Sequence, residues 1–98
     1  MSVDDHEKDL ALARAVRLRG QGEAGAAREQ LLGLAGRYPE DPALRAFLAM
    51  ALYNRGEGRE AVDLLLKTLA TASDDPGVRQ YRRAIEHYAD GLDAVEPG

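Results

Sequence analysis

Few side chains in this sequence stand at spacings that do chemistry. There are two histidines, His6 near the first residue and His87 near the last stretch. His87 lies beside Glu86 and Asp90, and a carboxylate that orients an imidazole can make a proton-transfer site near neutral pH. No nucleophile accompanies it. The chain has no cysteine, Ser2 sits at a terminus, and Ser73 sits where a helix should end. Neither histidine has a second ligand at the spacing of a His-Glu-x-x-His zinc site. A solvated histidine on a helix surface is therefore the reading for His87. Gly20-Gln21-Gly22 has the look of a phosphate loop, but no strand precedes it and no Gly-Lys-Ser/Thr follows, so it reads as a turn. The acidic pairs Glu40-Asp41 and Asp74-Asp75 each precede a helix start, which makes them caps rather than calcium ligands. These residues predict no catalytic site, no metal and no cofactor, and thus a protein that is not an enzyme.

What remains is a surface, and composition limits its partners. The 98 residues are 45% hydrophobic and 31% charged, with a net charge of −4. A nucleic-acid-binding module should carry a basic face, so that class is set aside. The basic residues are arginines apart from Lys8 and Lys67. Anion recognition would suit arginine, but the accompanying wealth of alanine and glycine reads as compositional bias. The longest apolar run, Phe47 to Tyr53, is too short to span a membrane. Met1-Ser2-Val3-Asp4-Asp5 lacks the basic-then-apolar pattern of a signal peptide. A cytoplasmic, membrane-free protein is expected. Aromatics are only 5% of the chain, so alanine and leucine must build the core, and they suit close-packed helices better than sheets.

The elements that would carry such a surface emerge from an internal repeat. With the chain shifted by 34 residues, Leu10 falls on Leu44, Ala15 on Ala49, Leu18 on Leu52, and Gly22-Glu23 on Gly56-Glu57. Ala27 then falls on Ala61, Leu31-Leu32 on Leu65-Leu66, and Asp41-Pro42 on Asp75-Pro76, giving ten identities without a gap. They occur where helices need them. Asp41 can cap free backbone N–H groups, and Pro42 is preorganised for the first helical position. Leu44, Leu48 and Leu52 follow at i, i+4 and i+8 with Ala49 beside them, and Gly56 closes the helix. A second helix starts around Gly58 to Glu60, with Ala61, Leu65 and Leu69 on one stripe and Val62 and Leu66 on the next.

The first unit repeats this plan. One helix runs from about Asp5 to Arg19 on Leu10, Ala15 and Leu18, and another from about Ala24 to Arg37 on Ala27, Leu31 and Leu34. Gly25, Gly33 and Gly36 weaken that second helix by roughly 1 kcal/mol each, or else admit close packing. After Asp75-Pro76 the pattern gives one long helix over Val78 to Leu92, with Val78, Tyr81, Ile85, Tyr88 and Leu92 at helical spacing. It should cover Val62, Leu66 and Leu69 at the open end. The domain plan is a lead-in over 1–7, units over 8–41 and 42–75, a capping helix over 76–93 and a frayed tail over 94–98.

A helix-turn-helix period of 34 resembles the tetratricopeptide repeat. Leu48-Ala49 and Leu52 stand where that family has Leu-Gly and Tyr, and Arg14-Ala15 with Leu18 stand there in the first unit. Ala27 and Ala61 match the small residue at which paired helices cross, and Pro39 matches the closing proline. The leading aromatic is replaced by Ala11 and Arg45, and Leu31 and Leu65 replace the aromatic of the second helix. Tyr81-Arg82-Arg83-Ala84-Ile85 with Tyr88-Ala89-Asp90 is similar to the ending of small stand-alone bacterial members. The resemblance implies an all-α, right-handed stack of helical hairpins with five helices and a concave groove for a protein partner. Leu12, Val16 and Arg19 would line it from the first unit, and Ala46, Met50, Tyr53 and Asn54 from the second. Gln80, Ala84, His87 and Tyr88 would line it from the capping helix. Leu12, Val16 and Phe47 occupy positions where clamps for acidic tails need lysine and asparagine. An apolar groove of this kind suits an amphipathic helix or hydrophobic segment. Equally, the capping helix or a second copy in a homodimer could cover it.

Overall fold

The computed structural model describes residues 3–93, which form helices and no strand. The helices are α1 (Val3–Gly20), α2 (Ala24–Arg37), α3 (Pro42–Asn54), α4 (Gly58–Ala72), α5 (Pro76–Gln80) and α6 (Arg82–Asp90). The expected tail over 94–98 lies outside the described residues. The first four helices pack consecutively as hairpins, and α3 contacts α1, α2 and α4. A radius of gyration of 14.9 Å exceeds the about 13 Å of a compact domain this size, as a stack should.

Local chemistry sets the boundaries. Asp41 accepts a hydrogen bond from the Leu44 N–H at 3.0 Å, and Asp75 accepts one from Val78 N–H at 3.1 Å, so the second acid of each pair is the cap. The two hairpin turns share one geometry. Gly22 and Gly56 have φ of +84° and +80°, which only glycine adopts freely. Glu23 N–H reaches back to the Leu18 carbonyl and Glu57 N–H to the Leu52 carbonyl, each at 2.9 Å. This is the six-to-one bond of a glycine-terminated helix, made twice.

Alanines let the helices approach. The core cluster is Ala15, Ala27, Leu31, Leu48, Ala49, Ala51, Leu52 and Ala61, with Leu12, Leu18 and Phe47 packed against it. Polar ties join the units around this core. Arg28 donates to both Glu57 carboxylate oxygens, at 2.6 and 3.0 Å, and so pins α2 to the α3–α4 turn. Lys8 pairs with Asp41 at 2.7 Å, which ties α1 to the start of α3. Together with the Leu44 N–H, this contact holds the Asp41 carboxyl below its ordinary pKa.

Several expectations need correction. The helix expected over Val78 to Leu92 is broken at Tyr81 (φ −99°, ψ 11°), so there are six helices among the described residues rather than five. The helix expected from Asp5 begins at Val3. Leu10, Leu69, Tyr81 and Tyr88 are exposed, and Val78, Ile85 and Leu92 are only half-buried. Gly33 and Gly36 meet nothing, and Gly25 faces the Arg55 side chain, so these glycines do not mark close helix packing.

The end of the stack departs most. Leu31 on α2 is 0% exposed, yet its counterpart Leu65 on α4 is 45% exposed, along with Val62 and Leu69. The register explains why. Continued by 34 residues, it puts Arg82, Arg83 and Glu86 where α3 buries Leu48, Ala49 and Leu52. Charged groups cannot be buried unpaired on Leu65 at tolerable cost. Instead α6 settles on the more polar side of α4. There Lys67 meets Asp90 at 2.6 Å, Arg59 pairs with Asp93, and Arg82 donates to the Ala70 carbonyl at 2.9 Å. Ala89 is the residue α6 buries fully.

Candidate functional site

The groove positions on α1 and α3 lie side by side. Leu12, Val16 and Arg19 follow one another at i, i+4 and i+7 on α1, as do Ala46, Met50 and Tyr53 on α3. Leu12, Arg19 and Ala46 are half-buried, while Val16, Met50 (41% exposed) and Tyr53 (71% exposed) face solvent. Arg19 Nε donates to Asn54 Oδ1 at 2.7 Å and locks the C-terminal ends of α1 and α3 together. The surface is thus apolar along its length and polar at one end.

The α6 contribution stands apart. Gln80 ends α5, Ala84 is half-buried, and His87 and Tyr88 are exposed, their rings edge-on at 5.4 Å. α6 rests on α4 and does not touch α3. It therefore leaves Met50 and Tyr53 uncovered. The Asp90 carboxylate is engaged by Lys67, which draws it into the helix-to-helix ion pair. That pair holds the Lys67 ammonium above its ordinary pKa, through the bonds to Asp90 and Asp63. Among the described residues no three histidines or carboxylates converge as metal ligands.

Residues 3–92 match the family described as Tetratrico peptide repeat. The chain belongs to the tetratricopeptide repeat family. The resemblance in the 34-residue register and the observed hairpin stack therefore agree. Repeats of this family mediate protein–protein interaction. No curated protein matches the chain. No helix among the described residues is long and apolar enough to cross a membrane.

Two further surfaces of this tetratricopeptide protein escaped the reading of its sequence. One is the exposed strip Val62, Leu65 and Leu69 on α4, of which the capping helix was expected to cover Val62 and Leu69. The other is a cleft of about 300 Å³ between α1 and α2, lined by Ala11, Arg14, Gln30, Gly33, Leu34 and Arg37. A signal for both was present. Comparing the units position by position shows charge in the third unit where α3 has leucine, and small or polar residues in the first where the second has bulk.

Proposed function

We propose that this chain is a protein-interaction module that takes an amphipathic helix or hydrophobic segment of a partner along the α1/α3 face. The observation that carries this is the exposure of Met50 and Tyr53 on the innermost helix, with α6 docked elsewhere. A methionine and a tyrosine offer adaptable apolar contact, and the tyrosine hydroxyl stays hydrated at the rim. Leu12 and Ala46 supply the half-buried floor, and the Arg19–Asn54 pair supplies a polar end stop.

Self-association through the same face is the second reading, and the open strip on α4 is a separate apolar surface beside it. A protein with two apolar surfaces has more ways to meet its own copy. One experiment separates them. The double substitution Met50→Glu and Tyr53→Glu places two charges that a partner would have to desolvate. A foreign partner predicts loss of capture with an unchanged oligomeric state in light scattering. Self-association predicts conversion of a dimer to a monomer. Unfolding of the double variant would show that these side chains belong to the core and would remove the α1/α3 face as the site.

A further inference from the structure

The first unit carries a cleft between α1 and α2, and four of its six lining positions differ from the second unit in a way that opens it or makes it polar. Shifting by 34 residues puts Arg45 on Ala11, Leu48 on Arg14, Leu64 on Gln30 and Lys67 on Gly33. Long side chains in the second unit are thus replaced in the first by a methyl group and a hydrogen. Apolar ones are replaced by a guanidinium and an amide. Nothing lies within 4 Å of where a Gly33 Cβ would stand, so its space is open. The result is a cleft of about 300 Å³, at the lower end of the range for small-ligand pockets.

Its electrostatics are unusual for a chain of net charge −4. Arg14 and Arg37 both line it, one from α1 and one from α2. Neither forms an ion pair among the described residues, in common with most of the arginines. Arg37 lies over the Tyr38 ring at 5.4 Å, a contact that restrains the guanidinium and leaves its N–H donors available. Gln30 Oε1 is shut off from solvent with no hydrogen-bond partner, which is an unmet demand for a donor. Ala11 and Leu34 make the apolar floor.

We propose that this cleft binds a carboxylate carried next to an N–H donor, as in an acidic residue of a peptide. The two guanidinium groups take the carboxylate, which they match in charge and in fork geometry. The half-buried Gln30 side chain turns from its sealed position into the cleft it lines, and its Oε1 then accepts the peptide N–H. A bare anion answers the arginines and leaves that oxygen unsatisfied, and this favours the peptide over an inorganic ion. The cleft uses Ala11 and Arg14 of α1, not Leu12, Val16 and Arg19. It therefore stands independently of the α1/α3 face.

The test is a titration of the full-length ¹⁵N-labelled chain at low salt with the capped peptide acetyl-Glu-Glu-amide. Parallel arms use acetyl-Gln-Gln-amide, succinate and inorganic phosphate. The expected result is saturable shifts of the Gln30, Gly33 and Arg37 amides with the acidic peptide, weakened by salt. Arg14→Gln and Arg37→Gln should each weaken binding about 10-fold, the loss of one charge-assisted contact. Gly33→Leu should fill the cleft and abolish the shifts while keeping the helical fold, because it adds a helix former in open space. Equal binding of the glutamine peptide overturns the proposal. So does tighter binding of phosphate or succinate, unaltered binding by the folded Gly33→Leu chain, or absence of saturable shifts.

Discussion

Leu31 and Leu65 hold the same place in their units, so truncating each to alanine isolates what a neighbouring helix contributes. The change in helix propensity is the same in both cases and cancels. Leu31 is 0% exposed. Leucine to alanine removes three carbons, about 2.4 kcal/mol at about 0.8 kcal/mol per buried methylene. A cavity term adds to this, so the full cost falls at about 3–4 kcal/mol, within the range of such substitutions. Leu65 is 45% exposed, so nearly half its surface is already wet, and solvent enters the space vacated. Its loss should cost about 1 kcal/mol. Urea unfolding followed by circular dichroism measures both, and the difference should be at least about 2 kcal/mol. Equal costs at one protein concentration would refute the account of the open end, because Leu65 would then have to be covered in solution.

Asp41→Ala removes a cap and the partner of Lys8, and should cost about 1–2 kcal/mol in urea unfolding. The folded carboxyl titrates below its ordinary value, so its contribution is complete above about pH 4. That contribution fades as pH falls through the folded value, and the gap between wild type and Asp41→Ala should close there. Gly56→Ala forces a Cβ into φ +80° and should destabilise by about 1–2 kcal/mol, while Gly33→Ala, in a helix with open space, should stabilise by up to about 1 kcal/mol. Thermal melts of the pair check the opposite signs. The triple change Arg82→Leu, Arg83→Ala and Glu86→Leu restores the apolar register of α3. Contacts between the Leu65 methyls and Val78 should then appear in nuclear Overhauser spectra, and their absence would show that the charges do not hold the closing helix away.

The hairpins were legible because their signals are local. Asp41-Pro42 and Gly56 mark the ends of α3 through bonds within a few residues, and the 34-residue phase assigns the same roles to the first unit. The period also finds the alanines at which helices cross. What it cannot give is the occupancy of a neighbouring position. Leu10, Leu31 and Leu65 look alike in sequence, and they differ in burial because α3 lies against one and no helix lies against the others. The break at Tyr81 was hidden for a related reason. The Tyr81 N–H still reaches the Gly77 carbonyl and Ile85 N–H the Tyr81 carbonyl, so the helical spacing persists through the break. Of the groove residues, those on α1 and α3 were placed together by periodicity. Those on α6 depended on where that helix docks, which charge on Arg82, Arg83 and Glu86 decides.

The two ends of the stack differ in chemistry, and this bears on assembly without limit. A strip of Val62, Leu65 and Leu69 at one end invites the first helix of another copy, and repetition of that contact would make a fibre. The face α1 would present carries Leu10, Arg14 and Arg17, at the positions where α3 has Leu44, Leu48 and Ala51. Seating it would strip water from two guanidinium groups against leucine. The opposite ends are thus mismatched, and head-to-tail growth is opposed by Arg14, which also lines the cleft, and by Arg17. An open apolar end is compatible with a discrete protein because its natural complement, the other end of the same molecule, has been made polar.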